Sequence, residues 1–360
     1  MKAEKPLSFF HIALLYVGAI MGAGFASGRE TWQFFGVFSA KGIVGVLIAG
    51  VFFTILGGII AYLGNTLRTN DIGTIVLPFG SDRLRQGVSI TIALFIYVAI
   101  VSLSAAGGSL MQMEFGFPKP VGGAVIVLLV ILTVLGDFQR ISKVFRRIMP
   151  LLFGADVLLC LYFVFFTDTV SHVPETAKPS PLAPQWFMAS IIYVSYNFLV
   201  AIPILSEGAM HGKNSRHSYF GACLGGSLLC GLSMVLLLAL SHDGALTEGS
   251  DLPMLSFAAK LPAPVHIGFV LLLFLAIYAS ATSCYYGFTT MLKPGPKKNA
   301  KVIGFAILGF FLGLFGFKNV ITYILPVEGY GGALVIVLLI WHFFQVRRER
   351  RPTWKSDSEV

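Results

Sequence analysis

The sequence predicts an all-helical membrane protein of ten spans, and three observations lead there. The 360-residue chain is 56% hydrophobic and only 12% charged, with a mean hydropathy of +0.81. Ordinary soluble proteins use about 25% charged residues, so this chain lacks the polar cover that a water-facing surface of its size demands. Apolar runs of about 20 residues, the length that crosses a hydrocarbon core, recur along it. Twenty of the 26 Lys and Arg then fall on one side of the layout those runs define.

The runs are Phe9 to Phe38, Gly42 to Asn65, Arg85 to Met113, Val121 to Gly136, Arg146 to Thr167, Gln185 to Gly208, Ser218 to Ser241, Val265 to Met291, Val302 to Phe317 and Asn319 to Phe344. The basic residues gather as Lys2 and Lys5; Arg68, Arg83 and Arg85; Arg140, Lys143, Arg146 and Arg147; Lys213 and Arg216; Lys293, Lys297, Lys298 and Lys301; and Arg347, Arg348, Arg350, Arg351 and Lys355. Arg29, Lys41, Lys119, Lys178, Lys260 and Lys318 are left for the other side. Basic loops stay in the cytoplasm, so both termini are expected there, and one span more or fewer would scramble the alternation. The net charge of +9 thus marks a membrane face and gives no reason to expect nucleic acid. Met1 to Pro6 leads into a long span with no small-residue cleavage site, which reads as an uncleaved first helix rather than a signal peptide. Cys160, Cys223, Cys230 and Cys284 lie in apolar segments without metal or redox spacing and are assigned to packing. One transmembrane domain, 1–344, precedes a basic cytoplasmic tail, 345–360, expected to lie on anionic lipid.

Ten spans divide into two fives, and an odd-numbered repeat enters the membrane in opposite directions, so inverted repeats over about 9–167 and 185–344 are expected. The first span carries Gly18, Gly22, Gly24 and Gly28 ahead of Arg29 and Glu30. Each glycine costs about 1 kcal/mol of helix stability relative to alanine, and such a break persists in lipid only where protein or a water-filled cavity surrounds it. Its counterpart, the sixth span, is expected to break near Ser195–Pro203. The linkers after the second span of each half are alike, one holding Asp71–Phe79 and the other Asp251–Phe257, and read as mirrored lids. Close packing of small residues suffices for Gly42, Gly45, Ala49 and the Gly57-Gly58 pair, which no polar residue accompanies.

Two broken helices in a five-plus-five arrangement resemble the LeuT-type fold of the APC superfamily. More closely, Tyr16-Val-Gly-Ala-Ile-Met-Gly-Ala-Gly-Phe-Ala-Ser-Gly-Arg-Glu30, then Phe34-Phe35, with Tyr193-Val-Ser-Tyr-Asn197 later, is similar to the YkvI family of bacterial membrane proteins. The resemblance spans essentially the whole chain. It implies a multi-pass protein of the bacterial cytoplasmic membrane, placed among secondary transporters, with substrate between the two breaks.

A broken helix offers amide and carbonyl groups to an anion and a cation. The expected substrate site is Gly22, Gly24, Phe25, Ser27, Tyr193, Ser195, Tyr196 and Asn197, with Tyr97 as a wall residue. Tyrosines and hydroxyls at such depth also pack or bond back to their own helix. Sodium-coupled members of the resembled fold imply a cation site at Thr282 and Ser283 with the carbonyls of Gly18 and Met21. Asp156 stands mid-span without a charged neighbour on its helix, and an intramembrane carboxylate is expensive. It is a fixed anionic ligand, a proton carrier or a structural group. The resembled fold also implies a gate between Arg29 and Glu328, unless Glu30 neutralises Arg29; Glu328 falls in Pro326–Gly332, expected as a further break, and Glu207 is a candidate inner gate. No cofactor is expected beyond a coupling Na+, and no catalytic set emerges from the seven histidines. The resulting expectation is an ion-coupled secondary transporter of a small organic solute, an amino acid or similar zwitterion. Its alternative is a membrane receptor of a small molecule. The sequence points to a small-molecule substrate and the lipid bilayer as partners, and to no protein partner.

Overall fold

The computed structural model describes residues 7–69, 72–77, 82–136, 138–170, 172–290, 292 and 295–349, with Ala23, 138–149, 290 and 349 described by backbone alone. Asp71 and Pro78-Phe79 of the first linker, Lys2, Lys5, Lys293, the side chains of Arg140, Lys143, Arg146 and Arg147, and the tail from Arg350 lie outside the described residues.

The helices are α1 (Phe9–Ile20), α2 (Ala23–Ala26), α3 (Arg29–Phe34), α4 (Ala40–Leu67), α5 (Ile72–Val76), α6 (Asp82–Phe115), α7 (Lys119–Leu135), α8 (Phe138–Phe166), α9 (Trp186–Met210), α10 (Ser215–Ser241), α11 (Gly244–Gly249), α12 (Pro253–Ala258), α13 (Ala263–Thr290), α14 (Lys298–Gly313), α15 (Phe317–Asn319) and α16 (Leu325–Glu349). Six stretches are long and apolar enough to cross a membrane: α4, α6, α9, α10, α13 and Phe317–Arg348. Apolar helices at Phe9–Ile20, Lys119–Leu135 and Pro150–Phe166 are shorter.

Two groups of helices form the core. In one, α4 packs along α10 and α9, with α1 against both α10 and α9; in the other, α6 packs along α7, α13 and α14. Contacts of α8 with α10 and α13 join the groups. Small residues set the closest approach in the first group, as small-residue helix interfaces do in membranes. A Cβ on Gly226 would lie 2.6 Å from the backbone of Thr54, and one on Gly57 would lie 2.5 Å from the ring of Tyr16. The expected packing role of the span-two glycines is what the structure contains: Gly42 rests on the Phe35 backbone and Gly58 on Tyr219.

The first span is broken where the glycines stand. After α1, Met21 and Gly22 leave the helix, and Gly28 turns the chain between α2 and α3 with φ +79°, a conformation side-chain-bearing residues rarely adopt. The sixth span is not broken. α9 runs from Trp186 to Met210 with Pro203 inside it. The polar residues expected to interrupt it are satisfied within it instead: Ser195 Oγ donates to Ile191 O (2.7 Å) and Asn197 Nδ2 to Tyr193 O (2.9 Å), each one turn back. The expected break at Pro326–Gly332 is likewise absent. Pro326 sits in the first turn of α16, where no amide is required of it, and the irregular segment lies upstream as a π turn over Val320–Ile324.

Gly226→Val is expected to cost about 1–3 kcal/mol by forcing α10 off α4, read as a lower melting temperature of the detergent-solubilised protein. Gly231→Ala, with nothing within 4 Å of the added carbon, is expected to melt at or above wild type.

Candidate functional site

The helix break rearranges the backbone hydrogen bonds around it. Gly22 N–H donates to Ile20 O (2.7 Å), withholding the amide that a continuous helix would give to the Gly18 carbonyl. Met21 N–H still reaches Val17 O (2.8 Å) and Ala26 N–H reaches Gly22 O (3.1 Å). Ser27 is fully buried and closes the break locally, its Oγ donating to Gly24 O (2.8 Å) and accepting from Arg29 N–H (3.3 Å).

Consecutive residues on a helix project about 100° apart, and Arg29 and Glu30 enter different environments. Arg29 is fully buried beneath the α11–α12 segment. Its Nη1 donates to the carbonyls of Thr247 (3.2 Å), Glu248 (3.3 Å) and Ser250 (3.4 Å), and its Nη2 to Gln33 Oε1 (3.3 Å) and the Glu248 carboxylate (3.4 Å). Glu248 also accepts from Trp32 Nε1 (2.8 Å) and pairs with Lys318. The gate expected between Arg29 and Glu328 is therefore not formed, and Glu30 does not neutralise Arg29; the counter-ion is Glu248. The same segment binds two further cations, Lys119 through Asp251 (2.6 Å) and Lys260 through Asp243 (2.8 Å). One acidic lid thus holds four of the six basic residues assigned to that face. Ser27 O accepts from Met254 N–H (2.9 Å), tying α12 to the break itself.

Glu30 turns inward. Its Oε2 accepts from Tyr196 Oη (2.7 Å), and its carboxylate lies against Gly24, where any Cβ would collide with it. Tyr193 packs against Phe35 (4.9 Å between ring centroids), Phe34 (5.5 Å) and Tyr196 (5.6 Å). Its hydroxyl is buried beside those of Thr31 and Ser233. Glu328, 4% exposed, forms no hydrogen bond with a described residue. Gly329 and Gly332 let α16 lie directly on Ile192 and Ser195 of α9, which carries Glu328 to the turn holding Tyr193 and Tyr196.

On the other side of the break, Met21 and Phe25 line a small cavity with Asp156, Val157, Cys160, Leu232, Val235 and Leu236, with about 10 Å³ of room, roughly one water. Asp156 is 5% exposed and neither of its oxygens has a hydrogen-bond partner. Thr282 is fully buried with its hydroxyl unpartnered. Ser283 is exposed, so the expected Thr282–Ser283 pair does not face one site. The α13 hydroxyl nearest the break is Ser280, 3.8 Å from where a Gly22 Cβ would stand. Its position in Ser280-Ala-Thr-Ser283 was visible, but the helix rotation that selects it was not.

The remaining candidates have local roles. Tyr97 donates to Phe305 O on α14 (2.8 Å), which spends its hydroxyl on packing. Ser195 and Asn197 bond back to their own helix, as above. Glu207 is exposed and forms no ion pair among the described residues. The polar tie near that end is Asn65, whose amide donates to Ala209 O (2.8 Å) and Gly212 O (3.1 Å). Asn65 and Glu248 carried no sequence signal, because each acts through a partner more than 100 residues away.

No protein-family model matches the chain. It is 24% identical to the Bacillus subtilis membrane protein YkvI over 325 residues, 89% of this chain and 91% of that protein. It is 23% identical to YyaD of the same organism over 330 residues, 91% and 94% of the two chains. Among solved structures, the inward-facing conformation of Mhp1 matches with a TM-score of 0.54 at 14% identity, covering 98% of this chain and 81% of that one. A substrate-bound, outward-open Na+-coupled sialic acid symporter matches at 0.59 and 14% identity, covering 94% and 79%. The manganese transporter of Eremococcus coleocola matches at 0.52 and 13% identity, covering 92% and 76%. The fold is the LeuT type. The similarity to YkvI agrees with the motif that suggested it, and the LeuT-type frame places the α1–α2–α3 break against α9 at the centre of the described core.

Glu248→Gln is expected to lower stability by about 3 kcal/mol or more, because it leaves the Arg29 guanidinium buried without its counter-ion; Lys318→Ala, at a half-exposed cation, is expected to cost about 1 kcal/mol or less. Both are read by thermal melting. Burial disfavours the charge of Asp251, but hydrogen bonds from Lys119 and Ser109 outweigh it and hold the carboxyl below its usual range. A depressed folded-state pKa contributes stability above the unfolded value and loses it as pH falls through the folded one. The melting difference between wild type and Asp251→Asn is therefore expected to stay constant from pH 8 to 5 and to shrink only below about pH 4.

Proposed function

We propose that this protein is a secondary active transporter of a small organic solute, an amino acid or similar zwitterion, working by alternating access across a bacterial cytoplasmic membrane with both termini inside. In this reading the chain makes ten spans in two inverted fives. The grouping of α1, α4, α9 and α10 apart from α6, α7, α13 and α14 supports it, since the first two spans of one half pair with the first two of the other. The acidic lid is then the outer closure. The expected starting panel of substrates is amino acids and similar zwitterions.

The observation that carries the proposal is the broken first span with an unpartnered carboxylate beside it. Backbone disruption at this depth and a buried Asp with two unsatisfied oxygens each cost several kcal/mol in lipid. A fold that retains both is using them. Asp156, against Met21 and Phe25 at the break, supports a coupling role, either as a fixed anionic ligand for Na+ or as a proton carrier. Ser280, Thr282 and the Gly18 carbonyl offer further oxygens around the break. The sodium coupling named for the sialic acid symporter makes Na+ one arm of the test, and a pH gradient makes the other.

Uptake into proteoliposomes is expected to rise when an inward gradient of one of these ions is imposed. Asp156→Asn is expected to abolish that dependence while leaving solute binding measurable by thermal shift. Gradient-independent uptake, or an unchanged response in Asp156→Asn, overturns the coupling role. Binding without uptake under any gradient favours a receptor over a transporter.

A further inference from the structure

The cavity at the carboxyl of Asp156 contains nothing that could hold a charge. The side chain is 5% exposed, and neither oxygen has a hydrogen-bond partner among the described residues. Around it stand Met21 and Phe25 from the helix break, Leu232, Val235 and Leu236 of α10, and Val157 and Cys160 of α8 itself. Apart from Asp156, the one polar group on these side chains is the Cys160 thiol, a weak donor one turn along the same face. The elements packed against α8 are α2, α7, α10 and α13, and no titratable residue of theirs lines the cavity. On α10, Cys223 and Cys230 lie against carbonyls of α4. On α13, Tyr278 is bonded to Thr133, Tyr285 to the Val302 carbonyl and His266 to Glu114. Lys119 of α7 is held by Asp251, and Glu30, beyond α2, by Tyr196.

A carboxyl without a donor or a counter-ion, walled by apolar groups, is held as the neutral acid, because the bare charge is far costlier there than the proton that removes it. Sodium fits this cavity poorly. A hard cation takes a shell of several oxygens, and the break carbonyls of Ile20, Gly22, Gly24 and Phe25 already accept from Gly22, Ala26, Ser27 and Gly28. Ser280 and Thr282 line no part of the cavity, Ser283 is exposed, and Met21 and Cys160 bring soft sulfur. We propose that Asp156 carries a proton, and that this proton is the coupling ion. The carboxylate takes H+ from water on one side of the membrane, sits in the apolar cavity as the O–H acid, and returns H+ to water on the other side. The cavity wall is shared by the break, α8 and α10, so a relative shift of these elements opens it to water. One proton then crosses with each solute, and no sodium is bound. The proposal rests on the transporter reading and selects between its two ions.

The test uses the purified full-length protein, as wild type and as Asp156→Asn. Infrared spectra at neutral pH are expected to differ by the carbonyl band of a protonated carboxyl, present in wild type and missing from the variant; any other buried acid is common to both. Wild type is expected to melt at the same temperature in sodium chloride and in choline chloride of equal ionic strength. In proteoliposomes loaded with a pH-sensitive dye, a mixture of the common amino acids added outside is expected to acidify the lumen with wild type, and Asp156→Asn is expected to lose that response. Asp156→Glu, which restores an acid to the cavity, is expected to recover it in part. A missing band, a sodium-dependent rise in melting temperature that Asp156→Asn abolishes, or undiminished acidification in Asp156→Asn overturns the proposal. The sodium and acidification readings on wild type need no variant, so a poorly folding Asp156→Asn leaves the proposal open to failure. Uptake of the labelled mixture separates it from the broader reading. Uptake that needs a sodium gradient and leaves the lumen pH unchanged defeats proton coupling and keeps transport. No uptake under either gradient defeats transport, and the coupling with it.

Discussion

Everything central in this molecule follows from the divergence of two adjacent charges at the end of a broken helix. Gly28, with φ +79°, restarts the chain between α2 and α3 so that Arg29 points into the lid and Glu30 into the helix core. A salt bridge between them would have neutralised both and left the centre electrically quiet. Because the guanidinium is instead matched by Glu248 and three carbonyls, Glu30 is left to the hydroxyl of Tyr196. The tie of Arg29 to the α11–α12 segment and the contact of Glu30 with Tyr196 are thus two results of one turn.

The lid carries more than its own weight in charge. Asp243, Glu248 and Asp251 reach Lys260, Arg29, Lys318 and Lys119, which come from four separate parts of the chain. Exposed pairs of this kind contribute little individually. The buried Arg29–Glu248 contact differs, because either partner alone would be stranded. The α11–α12 segment is thereby fastened to the chain just beyond the break, through Arg29 and through the Met254 N–H to Ser27 O bond.

Around this centre the helices approach as closely as small residues permit. Gly226 against Thr54, Gly57 against Tyr16 and Gly332 against Ser195 bring backbones together where lipid offers no hydrophobic drive for association. Such contact packs the first group of helices backbone against backbone. Tyr193 sits in this tightly packed group, whereas the unpartnered oxygens of Asp156 and Thr282 stand on α8 and α13.

Composition, hydropathy and the glycine run were enough to establish a helical membrane protein whose first span breaks near Gly22, because these properties depend on the free energy of short segments in lipid. They also pointed to the span-two packing glycines and to the mid-span carboxylate Asp156, which the structure buries without a hydrogen-bond partner. What they could not settle was rotation and long-range pairing. Ser195 and Asn197 looked like a second break, yet their side chains bond to their own helix and keep it whole. Thr282 and Ser283 looked like a pair, yet the rotation of α13 buries one, exposes the other and turns Ser280 toward the break. Arg29 had two acidic candidates, Glu30 beside it and Glu328, and the tertiary structure chose Glu248, 219 residues away, because only the folded α11–α12 segment brings three carbonyls and a carboxylate to one guanidinium. Local sequence determines where a helix cannot continue, whereas only the packed chain determines which side chain fills the space that the break opens.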